Sequence, residues 1–305
     1  APMIVPPRCG AKVGHRQAFT TKPSLFFSSG GFLFCASGYV IMQSMRINDD
    51  AVREALGPYA TTTTLKTFSQ IESTNQWLCD HPPATTSVVL AATQTAGRGR
   101  RGRKWQSPAG GIYFSVGQRI TETRFTPPAL SLLIGITLAD ALTTMGAANV
   151  LVKWPNDLVV SGQKLAGILV EQTSTVLVVG VGLNWQSETL AANLPEDRQA
   201  IGLCECLSAE FLPSKEAVCG ALAKRVLDTL TLPAAQFESF LGIHWSRWDA
   251  LANKMITIER SDDTLIEGQG AGVTEQGALR LLTREGTVEI HSGEARVRGG
   301  WEHAY

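Results

Sequence analysis

The chain has 305 residues, enough for about two domains and a sizeable core, and its 27 cationic and 27 acidic side chains cancel to a formal net charge of zero. Bulk positive charge is therefore excluded as a source of affinity for nucleic acid, and whatever a basic segment binds is bound locally. Six cysteines without Cys-x-x-Cys spacing and five scattered histidines argue against a structural zinc and for reduced thiols.

Residues 1–48 contain no Asp or Glu, five cations and two apolar patches, at residues 25–27 and 32–34. A targeting leader, the remnant of a domain and an extension translated from an upstream start are the competing readings. Ordinary globular sequence resumes directly after Met45, which favours treating residues 1–44 as an extension outside the working protein. Residues 48–56 predict a short helix, with acids near its start and Gly57-Pro58 to stop it. Residues 61–71 alternate like a strand. Ser73 or Thr74 is placed to cap a helix that begins with Gln76-Trp77-Leu78.

Residues 87–93 and 111–116 are apolar, β-branched and aromatic, and read as two strands. Slung between them is Gln94-Thr-Ala-Gly-Arg-Gly-Arg-Arg-Gly-Arg-Lys-Trp105, with five cations (Arg98, Arg100, Arg101, Arg103, Lys104) and glycines at Gly97, Gly99 and Gly102. Glycine bends and lets a backbone approach a ligand, while guanidinium groups fork onto carboxylate or phosphate oxygens. Such a loop on a rigid frame suits closure over an anion. A solvated basic loop or a nucleic-acid contact is the competing reading.

Residues 128–145 predict an apolar helix buried against a sheet rather than a membrane span. Residues 150–153 form a strand that delivers Lys153-Trp-Pro-Asn-Asp157, a turn sequence. Val159-Val160, Ser161-Gly162-Gln163 and residues 164–170 read as strand, tight turn and strand. Lys153 and Lys164 thus flank one turn, an arrangement that phosphate explains better than solvation does. Residues 175–184 predict a buried strand ending in glycines. Residues 215–231 and 236–252 predict two helices, the second carrying Trp245 and Trp248 as core residues. Residues 255–259, 265–271, 278–282, 287–290 and 295–298 predict five short strands, with turns at Gly268, Gly277, Gly286 and Gly293.

The Gly-Arg-Gly-Arg-Arg-Gly-Arg loop, Ser73-Thr74-Asn75 upstream, and Lys153–Asp157 with Lys164-Leu-Ala-Gly167-Ile-Leu-Val-Glu171 downstream together resemble the biotin–protein ligases. The resemblance covers about residues 47–298. It implies an α+β fold: a mixed-sheet biotin/lipoate ligase-like catalytic domain with packed helices over residues 45–253, then an SH3-like β-barrel over 254–305. It implies an ATP-dependent enzyme, with Mg²⁺, that converts biotin to biotinyl-5′-AMP and passes the acyl group to a lysine of a biotin carboxyl carrier protein. It places the enzyme in the cytoplasm, off membranes, and is compatible with a homodimer.

By that resemblance biotin is held by Ser73, Thr74, Asn75, Gln94, Gly97, Arg98, Gly99, Arg100, Trp105, Lys164 and Gly167. ATP is met by Arg101, Arg103, Lys153, Asn156, Lys164, Asn184 and Arg298. The catalytic set is Arg100, Arg101, Arg103 and Lys164, with Asp157 orienting the incoming lysine. No protein cage for a metal is expected, since Mg²⁺ rides on phosphates and water. Many bacterial family members carry an N-terminal winged helix-turn-helix. Residues 1–44 lack its helical period, so DNA binding is not expected. The rival readings are a lipoate–protein ligase-like acyltransferase, a bifunctional ligase/repressor and a non-catalytic ligand binder.

Overall fold

The computed structural model describes residues 26–27, 33–34, 40–41, 46–120, 126–187, 200–208, 212–259 and 264–298. Residues 1–45 and 46–305 form two separate units. In the first, β1 (Phe26–Phe27), β2 (Leu33–Phe34) and β3 (Val40–Ile41) pair as a small antiparallel sheet. The remaining expectations for residues 1–44, on their order and on DNA binding, lie outside the described residues.

The second unit begins with α1 (Asp49–Leu56), capped by the Asn48 side chain, which accepts from the amides of Asp50 and Ala51. A 3₁₀ turn over Gly57–Ala60 follows. Strand β4 (Thr64–Phe68) is shorter than the alternation of residues 61–71 suggested. The Tyr59 carbonyl accepts from the amides of Thr62 and Thr63 and keeps that stretch in a turn. Next come α2 (Thr74–Asp80), β5 (Thr86–Ala91), β6 (Ile112–Arg119), α3 (Pro127–Thr144), β7 (Val150–Lys153), β8 (Asp157–Val160), β9 (Gln163–Gln172) and β10 (Val176–Leu183). Helices α4 (Leu203–Cys206), α5 (Lys215–Leu230) and α6 (Ala234–Trp248) complete the larger part.

Seven strands form a mixed sheet in the order β4-β5-β6-β10-β9-β8-β7, in which only β4 and β5 run parallel. Strand alternation divides its faces. Val88, Leu90, Phe114, Val116, Val179 and Val181 point into the main core with α3. Helix α3 has the length and apolarity to cross a membrane, yet twelve of its eighteen residues are buried within this unit. On the opposite face Val89, Val176 and Val178 pack under Leu78 of α2. Next to that patch, the sheet surface under α2 and the basic loop is rich in glycine.

The β8–β9 hairpin turns at Ser161 (φ 49°) and Gly162 (φ 79°), the left-handed pair that suits strand twist. After Trp248 the chain ends α6, earlier than the expected helix over 236–252. Asp249 accepts from the indole N–H of Trp245 and the amide of Leu251, and bridges to Val152. Trp245 and Trp248 are both core residues, as the sequence suggested. Five antiparallel strands follow: β11 (Met255–Glu259), β12 (Leu265–Val273), β13 (Leu279–Thr283), β14 (Gly286–Ile290) and β15 (Glu294–Val297), ordered β14-β13-β12-β11-β15. Gly268, expected in a turn, instead lies within β12 opposite Ile256. Gly272 (φ 87°) supplies the bend, at the register shift of that strand.

Candidate active site

Three cross-strand rows form the floor beneath α2 and the loop. Ser115, Gly180 and Leu169 stand side by side on β6, β10 and β9; Tyr113, Gly182 and Gly167 form the next row; Gly117, Val178 and Glu171 form the row on the other side. The glycines leave a trough, and side chains from above sink into it. Leu78 rests over Gly117, Asn75 over Gly180, and the Trp105 indole over Gly182 and Gly167.

At one end the Ser-Thr-Asn turn builds a polar network. Ser73 caps α2 by accepting from the amide of Gln76. Gln94 Oε1 accepts from the Thr74 amide at 2.8 Å, and Gln94 Nε2 donates to Ser107 Oγ at 2.8 Å. Ser115 Oγ lies 2.7 Å from Thr74 Oγ1 and 2.6 Å from Asn75 Oδ1. Asn75 Nδ2 donates to Glu171 Oε2 at 2.9 Å and to the Leu169 carbonyl at 3.3 Å. Ser115, Ser107 and Glu171 did not enter the sequence-derived site set. Their only signal was placement: register puts Ser115 opposite Gly180, and Glu171 ends a motif quoted for other residues.

The basic loop folds back on itself, with Gly99 donating to the Arg103 carbonyl at 2.7 Å and Trp105 to that of Gly97 at 2.9 Å. It borders a cavity of about 480 Å³ that also touches Leu169 and Glu171. Arg98 is held by Glu171 at 2.7 Å and by the Gln76 side chain. Arg100 has its pKa lowered by burial, offset in part by Asp157. Arg101 is exposed and adopts φ 56° within a one-turn 3₁₀ segment. Arg103 reaches Glu294 of β15, at 2.5 Å, a hydrogen bond that raises its pKa.

At the other end sit the lysines. Lys164 Nζ is 2.7 Å from Asp157 Oδ1 and 5.2 Å from the centre of the Trp105 ring. A bulge explains how an even-numbered residue joins the face of Gly167: Leu158 pairs with Ala166 but Val159 with Lys164, so one residue of β9 is extra. Lys153 has its pKa lowered by burial, with Asp157 pulling it back up. Asn156 pins its turn to β9 by donating to the Ile168 carbonyl at 2.8 Å. Asn184 donates to the Lys164 carbonyl at 2.9 Å, so it braces that lysine from behind. Arg298 pairs with Glu267 at 3.1 Å, past the end of β15 remote from Glu294 and on the order of 13 Å along the strand from it.

From Glu171 to Lys164 along β9 the trough runs on the order of 20 Å. It offers hydroxyls, amides and the Arg98–Glu171 ion pair at one end, an indole in the middle and the Lys153–Asp157–Lys164 cluster at the other. Among the described residues no group of three or more His, Cys, Asp or Glu could hold a metal ion.

Residues 67–187 match the model of the biotin/lipoate A/B protein ligase family, and residues 252–298 match that of the biotin protein ligase C-terminal domain. The biotin–[acetyl-CoA-carboxylase] ligase of Mycobacterium tuberculosis is 43% identical over 214 residues, 68% of this chain and 77% of that protein. The bifunctional ligase/repressor BirA of Escherichia coli is 33% identical over 231 residues, 73% of this chain and 70% of that one. Among solved structures, the biotin protein ligase from Aquifex aeolicus in complex with biotin and ATP superposes with a TM-score of 0.66 at 29% identity. The match covers 77% of this chain and 98% of that one. On sequence and fold together, the chain belongs to the biotin protein ligase family.

Proposed function

We propose that this enzyme, an ATP-dependent biotin–protein ligase, uses the trough to bind biotin head-first and to activate its carboxylate beside Lys164. One observation carries the assignment of ends: neutral hydrogen-bonding groups at Thr74, Asn75 and Gln94 lie at one end and the Lys153–Asp157–Lys164 cluster lies at the other. A ureido ring offers one acceptor and two donors, which the first end can answer. A carboxylate and a triphosphate need the second.

In the first step a biotin carboxylate oxygen attacks the α-phosphorus of ATP and pyrophosphate leaves. Lys164 neutralises the carboxylate and α-phosphate as they approach, and Arg100, Arg101 and Arg103 supply charge as the loop closes. Removing one well-aimed stabiliser of this kind costs about 2.7–4 kcal/mol in the transition state. In the second step an acceptor lysine attacks the acyl carbon and AMP leaves. Asp157, next to Lys164, accepts a hydrogen bond from that amine and holds its lone pair on the acyl carbon. Mg²⁺ would come with the nucleotide rather than in a protein cage, and would supply charge neutralisation at the phosphates beside Lys153 and Lys164.

The acceptor is a carboxylase biotin carrier domain, the site of action is the cytoplasm, and a homodimer formed edge to edge belongs to the same reading. Intact mass of an apo carrier domain, incubated with this protein, ATP, Mg²⁺ and biotin, tests the assignment. A gain of one biotin that depends on ATP is expected. Labelling by lipoate in preference to biotin would replace this reading with the lipoyl one, and an operator gel shift would add a repressor role.

A further inference from the structure

Lys164 stands where its own strand is least regular. At the β8–β9 bulge the ladder loses register, so the backbone of Lys164 depends on what holds it from the other side. Its carbonyl accepts two hydrogen bonds there, from Asn184 Nδ2 at 2.9 Å and from the Ile201 amide at 3.0 Å. Ala200 forms an isolated parallel bridge to Lys164. Residues 200–202 thus run beside Lys164 as a short extra rail, and that rail needs an anchor of its own.

Glu205 of α4 supplies the anchor. Its Oε2 accepts from the Gly202 amide at 2.6 Å, which is half of an ordinary capping box at the start of a helix. A helix start asks for no more than that. Yet the second oxygen, Oε1, reaches a different part of the chain and accepts from the Ser187 amide at 3.2 Å and the Ser187 hydroxyl at 3.4 Å. Gly202 permits the close approach, since a Cβ there would lie 2.5 Å from the Cα of Gln186. Next to this stitch the amides of Leu203 and Cys204 donate to the carbonyls of Asn184 and Trp185 at 2.9 and 3.0 Å. The two segments are laced together, and both donors to the Lys164 carbonyl belong to them.

We propose that Glu205 is a positioning residue for Lys164: its carboxylate ties Ser187 to Gly202, and the tie keeps Ile201 on the Lys164 carbonyl. The inference rests on the part Lys164 plays in the proposed reaction. Glu205 itself touches no substrate and acts through the backbone of residues 200–202. Spanning two amides takes an acceptor on both arms of the side chain. Glutamate has two, glutamine has one, and alanine has none.

The test compares wild type with Glu205→Ala and Glu205→Gln in adenylate formation, biotin titration, melting temperature and amide exchange at Ile201. Glu205 is exposed, so its loss is expected to change the melting temperature little. In Glu205→Ala, kcat for adenylate formation is expected to fall about tenfold while KM for biotin stays within about twofold. Glu205→Gln keeps one acceptor and should recover part of the loss, to about threefold below wild type. The Ile201 amide should exchange at least about tenfold faster in Glu205→Ala. A merely structural role would lower melting temperature and biotin affinity in step with kcat, which overturns the proposal. Unchanged kcat, or unchanged exchange at Ile201, also overturns it. Should Glu205→Ala fail to fold, Glu205→Gln carries the same measurements. A wild type that forms no biotinyl-AMP would strike the ligase reading instead, and exchange at Ile201 would still decide whether Glu205 holds the rail.

Discussion

A methyl group placed on Gly180 would lie 2.0 Å from Oδ1 of Asn75, well inside contact distance. The amide of Asn75 occupies the space that the missing side chain leaves, and from there it reaches Ser115 on one side and Leu169 and Glu171 on the other. Gly180→Ala is therefore expected to evict Asn75 and break all of these bonds at once. Biotin affinity should fall by about 100-fold or more, because several buried polar groups lose partners together. Calorimetric titration with biotin checks this, and binding at wild-type affinity would show that Asn75 is dispensable.

The same logic reaches the indole. A methyl on Gly182 would come 2.4 Å from Trp105, and one on Gly167 would come 2.9 Å from it. Gly182→Ala should lift Trp105 off the sheet and take Lys164 out of its cation–π contact. A red shift in tryptophan emission, with loss of adenylate formation but retained fold by circular dichroism, is the expected signature.

Loop closure predicts a separate phenotype. A methyl on Gly97 would meet the Trp105 carbonyl at 2.5 Å and Ser107 Oγ at 2.6 Å, so Gly97→Val cannot keep the fold-back of the loop. Arg100 is the loop arginine whose guanidinium is most clearly desolvated, as its lowered pKa indicates. Either Gly97→Val or Arg100→Gly should leave the reactive anhydride poorly sheltered from water and from stray amines. Free biotinyl-AMP in solution and biotin on bystander lysines should both rise. Unchanged release in both variants would sink the closure argument.

Arg103 reaches Glu294 of the C-terminal sheet. Both side chains are partly exposed, so the pair adds little to global stability. Its effect is to anchor the second half of the loop. Glu294→Ala should leave the melting temperature nearly unchanged and raise KM for ATP several-fold. A large drop in melting temperature would mean that the pair holds the two sheets together instead.

Much of this fold was legible because it is written in local chemistry. Ser73 caps the helix it precedes, Ser161-Gly162 turns the hairpin it sits in, and the five C-terminal strands alternate visibly. The two ends of the trough were legible for the same reason, since Ser73–Asn75 and Lys153–Asp157 are contiguous motifs. Residues whose part depends on pairing across the sheet escaped. Ser115 is an ordinary strand serine until register sets it opposite Gly180, and Glu294 lies 191 positions from Arg103. Gly268 misled because a glycine inside a strand looks like a turn in sequence. Its real neighbour there is the Leu282 carbonyl, 3.0 Å from where a Cβ would be.

Lys153 offers a prediction in pH. Burial lowers its pKa from the ordinary lysine value of 10.5, and Asp157 offsets part of that shift. The unfolded chain therefore holds this proton at pH values where the folded chain has already released it. Stability rises with pH through the window between the lowered pKa and 10.5, and the destabilising cost of the buried ammonium is fully present below that window. Lys153→Met removes the cost. The variant should melt higher than wild type at pH 7, and the gap should close as pH approaches 10.5, the ordinary value. The same substitution should weaken ATP binding, since the lysine is kept at a folding cost where a phosphate can neutralise it. Melting curves across that range, paired with nucleotide titrations at pH 7, check both halves. A variant that melts lower at every pH would assign Lys153 to the scaffold and not to the nucleotide.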